Sequence, residues 1–431
     1  MNGIKVRPID PLMIRDGRPF EAVPGARAHT MTDIMPSVLA GSIRTLLGKL
    51  NAGSGSMKDT FNHPHNRNIH RIKVRGPLYE YKGMIYYPIP QDVSFYKEKD
   101  SGDLCVSIRR PIMMNEGEGY YGTGRNGLHE QMWPALSAYK HKMEKHVPAY
   151  MSSEWMTKWL RDELSEADWR LELKRWNDRY SPSRIAERCC DRDNHAKTDN
   201  EPTDTFLAAF PIEERVHTAI EACTRTAKDK HLFSTESLNL PDEMNLLAEV
   251  DIRSAEIAWP AELSEIHSLG GKRGLAHFCE IVTAEHWSCP DVMLNAISSA
   301  QDNPFIRMVL ATPSYFSKGW LPEGFNEQLI YENAWNTGVD LQLRWACVPR
   351  WQAVSGFHNA RGEKAVRRMV PAGSVYFFQV IKGNARDLVE QKWLCSVSDS
   401  NRRKEAFDKE DGFGLALWGL WTPMNLNVKG S

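Results

Sequence analysis

The sequence predicts an α+β fold. Short stretches of apolar and polar alternation recur along the chain, as from Leu246 to Ile252, and read as strands half buried against a core. Few segments carry a helical period, the clearest lying just after the first strand. A chain of 431 residues with 42% hydrophobic and 25% charged residues is an ordinary globular protein, long enough for two or three cores or two with a large insertion.

The elements follow in order. Ile4 and Val6 alternate with polar residues as a strand does, and Pro8 and Pro11 end it. Pro11 to Phe20 reads as a strand end followed by a charged glycine loop. Leu39, Ile43, Leu46 and Leu50 recur at helical spacing and predict an amphipathic helix starting near Pro36-Ser37. Asn51 to Ser56 closes it as a loop. Residues 61–76 hold Arg67, Arg71, Lys73, Arg75 and three histidines with no acid, and Tyr86 to Pro90 reads as a strand end and turn.

From about Lys97 to Phe210 the character changes. Gly117 to Gly124 is a loop, Glu154 to Glu172 is net acidic, and Trp169, Leu173, Trp176 and Tyr180 form one helical stripe. Cys189 to Thr203 is polar and loop-like. The expectation is a largely helical insertion that packs on its own domain or on a partner. Order returns at Ile212. Leu269 to Gly274 is a basic glycine loop, Ile306 to Ala311 and Val375 to Val380 are strands, and Gly412-Phe413-Gly414 leads into the last one, Leu415 to Trp421. No tandem repeat is present.

Several residues carry candidate chemistry. Arg15 and Arg18 flank Gly17, and Arg44 lies on the helix that follows. Guanidinium groups bind phosphate bidentately, and the same arginines equally suit solvated surface or an ion pair with Asp16. In Gly270-Gly271-Lys272-Arg273-Gly274, glycines let a backbone approach a phosphate and the cations supply charge. A plain turn is the competing reading, and the absence of the Walker pattern argues against nucleotide hydrolysis. Arg215 and His217 fall on one strand face, and Arg367-Arg368 is a weaker basic pair. A net charge of −1 argues against a stand-alone nucleic-acid binder while leaving room for a basic groove on one face. Fourteen tryptophans imply large buried or stacking surfaces.

Other chemistries find little support. His63, His65 and His70, then His277, Cys279, His286 and Cys289, then Cys189, Cys190 and His195 all lack zinc-site spacing, so neither metal nor cofactor is expected. No nucleophile elbow, zincin or kinase motif occurs. His29 or His217 could serve as the base of a metal-independent ribonuclease, although a structural histidine is the commoner outcome. Lys5, Arg7 and Asp10 interrupt any apolar leader, no run reaches membrane-spanning length, and the eight cysteines form no CxxC pair. A cytoplasmic protein with reduced thiols and no membrane contact is expected.

On these residues the chain resembles the RAMP superfamily, and within it the family of the third subunit of the Cmr complex, a type III-B CRISPR effector. Seven blocks carry the resemblance in order: residues 11–20, the Pro-Ser-x-Leu-Ala-Gly-x-x-Arg helix at 36–44, Arg215 and His217 with Leu232-Phe233-x-Thr235-Glu236, the glycine loop at 269–273, and residues 312–322, 370–378 and 412–417. Little of 97–210 is matched. The resemblance implies two ferredoxin-like (RRM-like) RAMP domains side by side, residues 1–300 with the insertion at about 97–210 and residues 301–431. It implies no catalysis and no cofactor. The partners it implies are the 5′ repeat-derived tag of the crRNA, the large polymerase/cyclase-type Cmr subunit and the backbone RAMP subunit. The RNA-binding positions it points to are Arg15, Arg18, Ser37, Arg44, Arg215, His217, Gly270, Gly271, Lys272 and Arg273. A crRNA-processing endoribonuclease of the same superfamily and a protein-only scaffold are the other readings.

Overall fold

A computed structural model describes residues 1–15, 25–53, 66–99, 101–113, 132–135, 142–180, 204–282, 284–300, 304–358, 362–363, 366–399 and 411–425. Two antiparallel sheets dominate it. The first is built from β1 (Asn2–Pro8), β2 (Lys73–Tyr81), β3 (Met84–Pro88), β4 (Tyr150–Ser152) and β5 (Phe206–Leu207). A separate hairpin, β6 (Ile212–Ile220) and β7 (Ala227–Leu238), leads on to β8 (Met244–Asp251), β9 (Ser264–Ser268) and β10 (Leu275–Ile281). The eight-stranded order is β9-β10-β1-β8-β2-β3-β4-β5.

The second sheet uses β11 (Phe305–Leu310), β12 (Ile330–Tyr331) and β13 (Asp340–Cys347). A short ribbon, β14 (Gln352–Val354) and β15 (Arg367–Met369), precedes its remaining strands β16 (Val375–Lys382), β17 (Cys395–Ser396) and β18 (Leu415–Leu420). Its order is β12-β13-β16-β11-β18-β17. Each sheet thus contains four antiparallel strands whose chain order across the sheet is fourth, first, third, second: β10-β1-β8-β2 and β18-β11-β16-β13.

Helix α1 (Pro36–Ala52) joins the first two of those strands in the first sheet. Proline at its first position matches the fixed φ needed there, and Gly53 at φ 61° ends it by donating to the Leu50 and Lys49 carbonyls. Leu39, Ile43, Leu46 and Leu47 are buried against Ile4, Val6, Val74, Leu246, Ala248 and Val250. Each such side chain contributes on the order of 2 kcal/mol. Leu50, expected on the same stripe, is 37% exposed, because Leu47 takes the inner position of the last turn. In the second sheet the α-helix joins the third and fourth strands instead, as α5 (Ala385–Lys392), which follows α2 (Ser153–Leu160), α3 (Glu166–Tyr180) and α4 (Asp291–Ser298) besides a single turn at Ala284–Trp287.

Strand β16 is apolar on both faces because both are covered. Tyr376 and Phe378 meet Phe316 and Phe325 on one side, while Phe377 meets Trp421 on the other. The run ending at Trp421 is not the last strand: Met424–Asn425 pairs in parallel with Ile112–Met113.

The region expected as a helical insertion is woven in. Its β4 and β5 extend the first sheet, and Trp155, Trp159 and Trp169 of α2 and α3 make edge-to-face contacts at 5.7–5.8 Å in one core with the second sheet. The end of α2 seats on Gly419 of β18, where a Cβ would stand 2.3 Å from the Leu160 carbonyl oxygen. Buried Arg307 of β11 lies 3.3 Å from both Asp92 and Asp162 and 4.4 Å from the Trp159 ring centre, so two distant segments close round one cation. The expected loops at Gly117–Gly124 and Cys189–Thr203 lie outside the described residues.

Candidate nucleic-acid interface

The site grows from the segment Pro11–Arg15, which crosses from β1 to the base of the hairpin. Leu12 exchanges both backbone hydrogen bonds with Leu238, and the Met13 carbonyl accepts from the Gly271 N–H at 2.6 Å. Gly270 sits at φ 76°, and a Cβ there would stand 2.8 Å from the Met13 oxygen. A side chain is therefore excluded, and the glycine loop is pinned against this segment. The loop holds Lys272 and Arg273 at φ 54° and 58°, a conformation non-glycine residues rarely adopt, which aims both side chains outward.

Lys272 reaches across to the hairpin. Its ammonium donates to the Thr235 hydroxyl and lies 3.0 Å from Nε2 of His217, which is itself 2.9 Å from the Thr235 hydroxyl. His217 stacks on Phe233, its cross-strand partner, with ring centres 5.3 Å apart. Arg215 lies two residues back on the same face, opposite Thr235, and pairs with Glu213. Burial, then the charges of Lys272 and Arg215, hold the His217 imidazole below its ordinary value; burial, then Arg215, lower Lys272. Among the described residues, no carboxylate lies within ion-pair distance of Lys272 or Arg273. A cation pair, a stacked imidazole and a tight glycine turn suit a phosphate beside an unpaired base.

The opposite face of the hairpin differs. Near its base Glu236 accepts from Arg27, lies 3.1 Å from Nδ1 of His29 and accepts from the Thr30 N–H at 3.1 Å. Further out Val216, Ile220 and Leu232 are more than half exposed, at 69%, 60% and 58%.

The structure therefore gathers Arg215, His217, Gly270, Gly271, Lys272 and Arg273. Arg15 lies exposed two residues beyond Met13 and bridges to Thr30. Ser37 is in the first turn of α1, and no hydrogen bond joins it to the Lys272 group among the described residues. Arg44 is placed elsewhere. It donates to the Ile72 carbonyl and pairs with Asp411, and both side chains are about nine-tenths buried. Arg18 lies outside the described residues, as do His63, His65, Cys189, Cys190 and His195. No cluster of metal-ligating side chains occurs among the described residues. Thr235 and Phe233 belong to the group and were not singled out as site residues; the Leu-Phe-x-Thr-Glu block was the available signal.

No helix of the described residues is long and apolar enough to cross a membrane. The model of the family CRISPR-associated protein (Cas_Cmr3) matches residues 4–421. No curated protein matches. A chain of the Type III-B Cmr-beta bound to cognate target RNA is 14% identical, with a TM-score of 0.41 over 87% of this chain and 86% of that one. In the same assembly with target RNA and AMPPnP the values are 13%, 0.40, 90% and 88%. A chain of the Csm3-Csm4 subcomplex in the type III-A CRISPR-Cas interference complex gives 10%, 0.33, 89% and 96%. At these identities and scores the likenesses support no functional statement.

Proposed function

The chain belongs to the Cas_Cmr3 family of CRISPR-associated proteins, and from that premise we propose that it is a non-catalytic subunit of a type III-B CRISPR effector. In this reading it holds the 5′ tag of the crRNA and joins the large polymerase/cyclase-type subunit to the backbone RAMP subunit. The repeated strand order supports two ferredoxin-like units, residues 1–300 and 301–431, each keeping one of the two crossover helices. The observation that carries the RNA reading is the Lys272–Thr235–His217 group on its glycine loop, with Arg215 on the same face. Phosphate at Lys272 and Arg273 with a base near His217–Phe233 uses each group for what its chemistry favours. The exposed Val216, Ile220 and Leu232 on the other face suit a neighbouring protein. Arg44, bound to Asp411, is left to a structural role.

The test is a tagged pull-down from cells carrying the native locus, with sequencing of bound RNA. RNAs sharing one fixed 5′ sequence, recovered with partner proteins, are expected. Recovery of the chain alone and free of RNA rejects the proposal. One observation favours the processing-ribonuclease reading: Glu236 beside His29 could orient an imidazole base. That reading requires the purified chain to cut repeat RNA without metal and His29→Ala to abolish cutting.

A further inference from the structure

The ribbon β14–β15 presents a second basic surface, on the other half of the chain. Gln352 pairs with Met369, Ala353 with Arg368 and Val354 with Arg367. Alternation sends Val354 and Met369 inward, 6% and 2% exposed. They join the core that also holds Ile14, Leu238 and Leu269, the residues beneath the Lys272 loop. The outer face carries Trp351, Ala353 and Arg368. Small Ala353 leaves room for the Arg368 guanidinium to lie 4.7 Å from the Trp351 ring centre, and Arg350 approaches the same ring at 5.7 Å. Arg367, on the inner side, lies 5.9 Å from the Tyr315 ring.

Two features set this patch apart from ordinary surface. Trp351 is 43% exposed, whereas most of the large rings in the chain are buried. Among the described residues neither Arg350 nor Arg368 has an ion-pair partner, although two like charges flank one indole. Two guanidinium groups with no carboxylate partner among the described residues flank an exposed indole, a pairing that calls for an anion and offers a π-face. A single-stranded nucleic acid supplies both the phosphate and a planar base.

We propose that Trp351, Arg350 and Arg368 form a stacking platform for one unpaired nucleotide of bound RNA, separate from the Lys272 group and resting on the same core. It builds on the RNA-binding reading above. A base lies on the free part of the indole, and its flanking phosphates engage the two guanidinium groups.

The experiment uses the full chain with a single-stranded oligouridylate carrying 4-thiouridine, read by affinity and by mapping of photo-crosslinks. A crosslink at Trp351 or a neighbouring ribbon residue is expected. Trp351→Ala is expected to weaken binding about tenfold while Trp351→Phe stays within about threefold. Arg350→Gln with Arg368→Gln is expected to lower the salt dependence by about two phosphate contacts. Binding weakened by Lys272→Ala and untouched by every ribbon substitution overturns the platform alone. No binding by the wild-type chain, alone or assembled, overturns both readings. Crosslinks from the ribbon to an acidic protein partner in place of RNA also overturn the platform.

Discussion

Two glycine loops look alike in the sequence and serve opposite ends. Gly270 to Gly274 holds its backbone against Met13 and turns Lys272 and Arg273 to solvent. Gly412-Phe413-Gly414 is buried, with Phe413 1% exposed and Asp411 closed on Arg44. A Cβ on Gly412 would meet the Gly76 carbonyl oxygen of β2 at 2.2 Å, and the Gly412 carbonyl accepts from the Thr312 hydroxyl at 2.8 Å. The first loop is an outward-facing turn and the second is the seam between the sheets. Positive φ and small residues are common to both; what separates them is the flanking side chains, two cations in one and an aromatic ring with a carboxylate in the other.

The strongest way to break the comparison is Gly412→Ala. The clash is with backbone and φ is 91°, so a loss of about 4 kcal/mol is expected, read as a large fall in the urea midpoint. A midpoint within experimental scatter of wild type would mean that the halves are not held there. Next, Asp411→Ala strands the Arg44 cation in a buried seam and is expected to cost about 3 kcal/mol, with no selective effect on RNA affinity once the protein is folded. If RNA binding falls while stability holds, Arg44 belongs to the interface after all.

Gly270→Ala tests the other loop. Its Cβ contact with Met13 and its positive φ are expected to cost about 1–2 kcal/mol, less than the seam because the loop is open on one side. Lys272→Ala should leave the melting temperature within about 1 °C, reduce RNA affinity about tenfold and flatten its salt slope by about one contact. Equal effects of Lys272→Ala and Asp411→Ala on RNA would erase the distinction between the loops.

Acid gives the smallest and most local contrast. Burial, then Lys49, lowers His267 to about 4, and it stands on β9 just ahead of the exposed loop. A folded-state pKa below the unfolded value near 6.5 means that stability present above 6.5 is lost as pH falls from 6.5 toward 4. Amide protection factors are expected to fall first around 264–275 on acidification and later around 412–417. His267→Gln should remove that difference; its persistence would assign the effect to other groups.

Much of the fold was legible because its cues are local. The alternation at Leu246–Val250, the stripe from Leu39 to Leu46 and the apolar run at Val375 each specify an element within a few residues. The glycine loop at 270 was legible for the same reason. Arg44 was not: a guanidinium on a helix looks the same whether it meets phosphate or a carboxylate 367 positions away. Nor was the fate of 97–210 visible, since β4 and β5 are three and two residues long and take their meaning from the sheet edge they extend. The Trp351 face needed the register of a ribbon that brings Arg368 beside it.

The placement of β1 has a consequence for how the chain is made. It leaves the ribosome before the other strands of its sheet, yet Val6 lies opposite Leu246 on one side and Phe278 on the other. Until those residues emerge, β1 has two open edges and α1 has only part of its sheet to cover. Folding of the first half therefore waits on nearly the whole of its own synthesis. The seam waits longer still, because Asp411 is made 367 residues after Arg44 and closes on it only when both sheets exist.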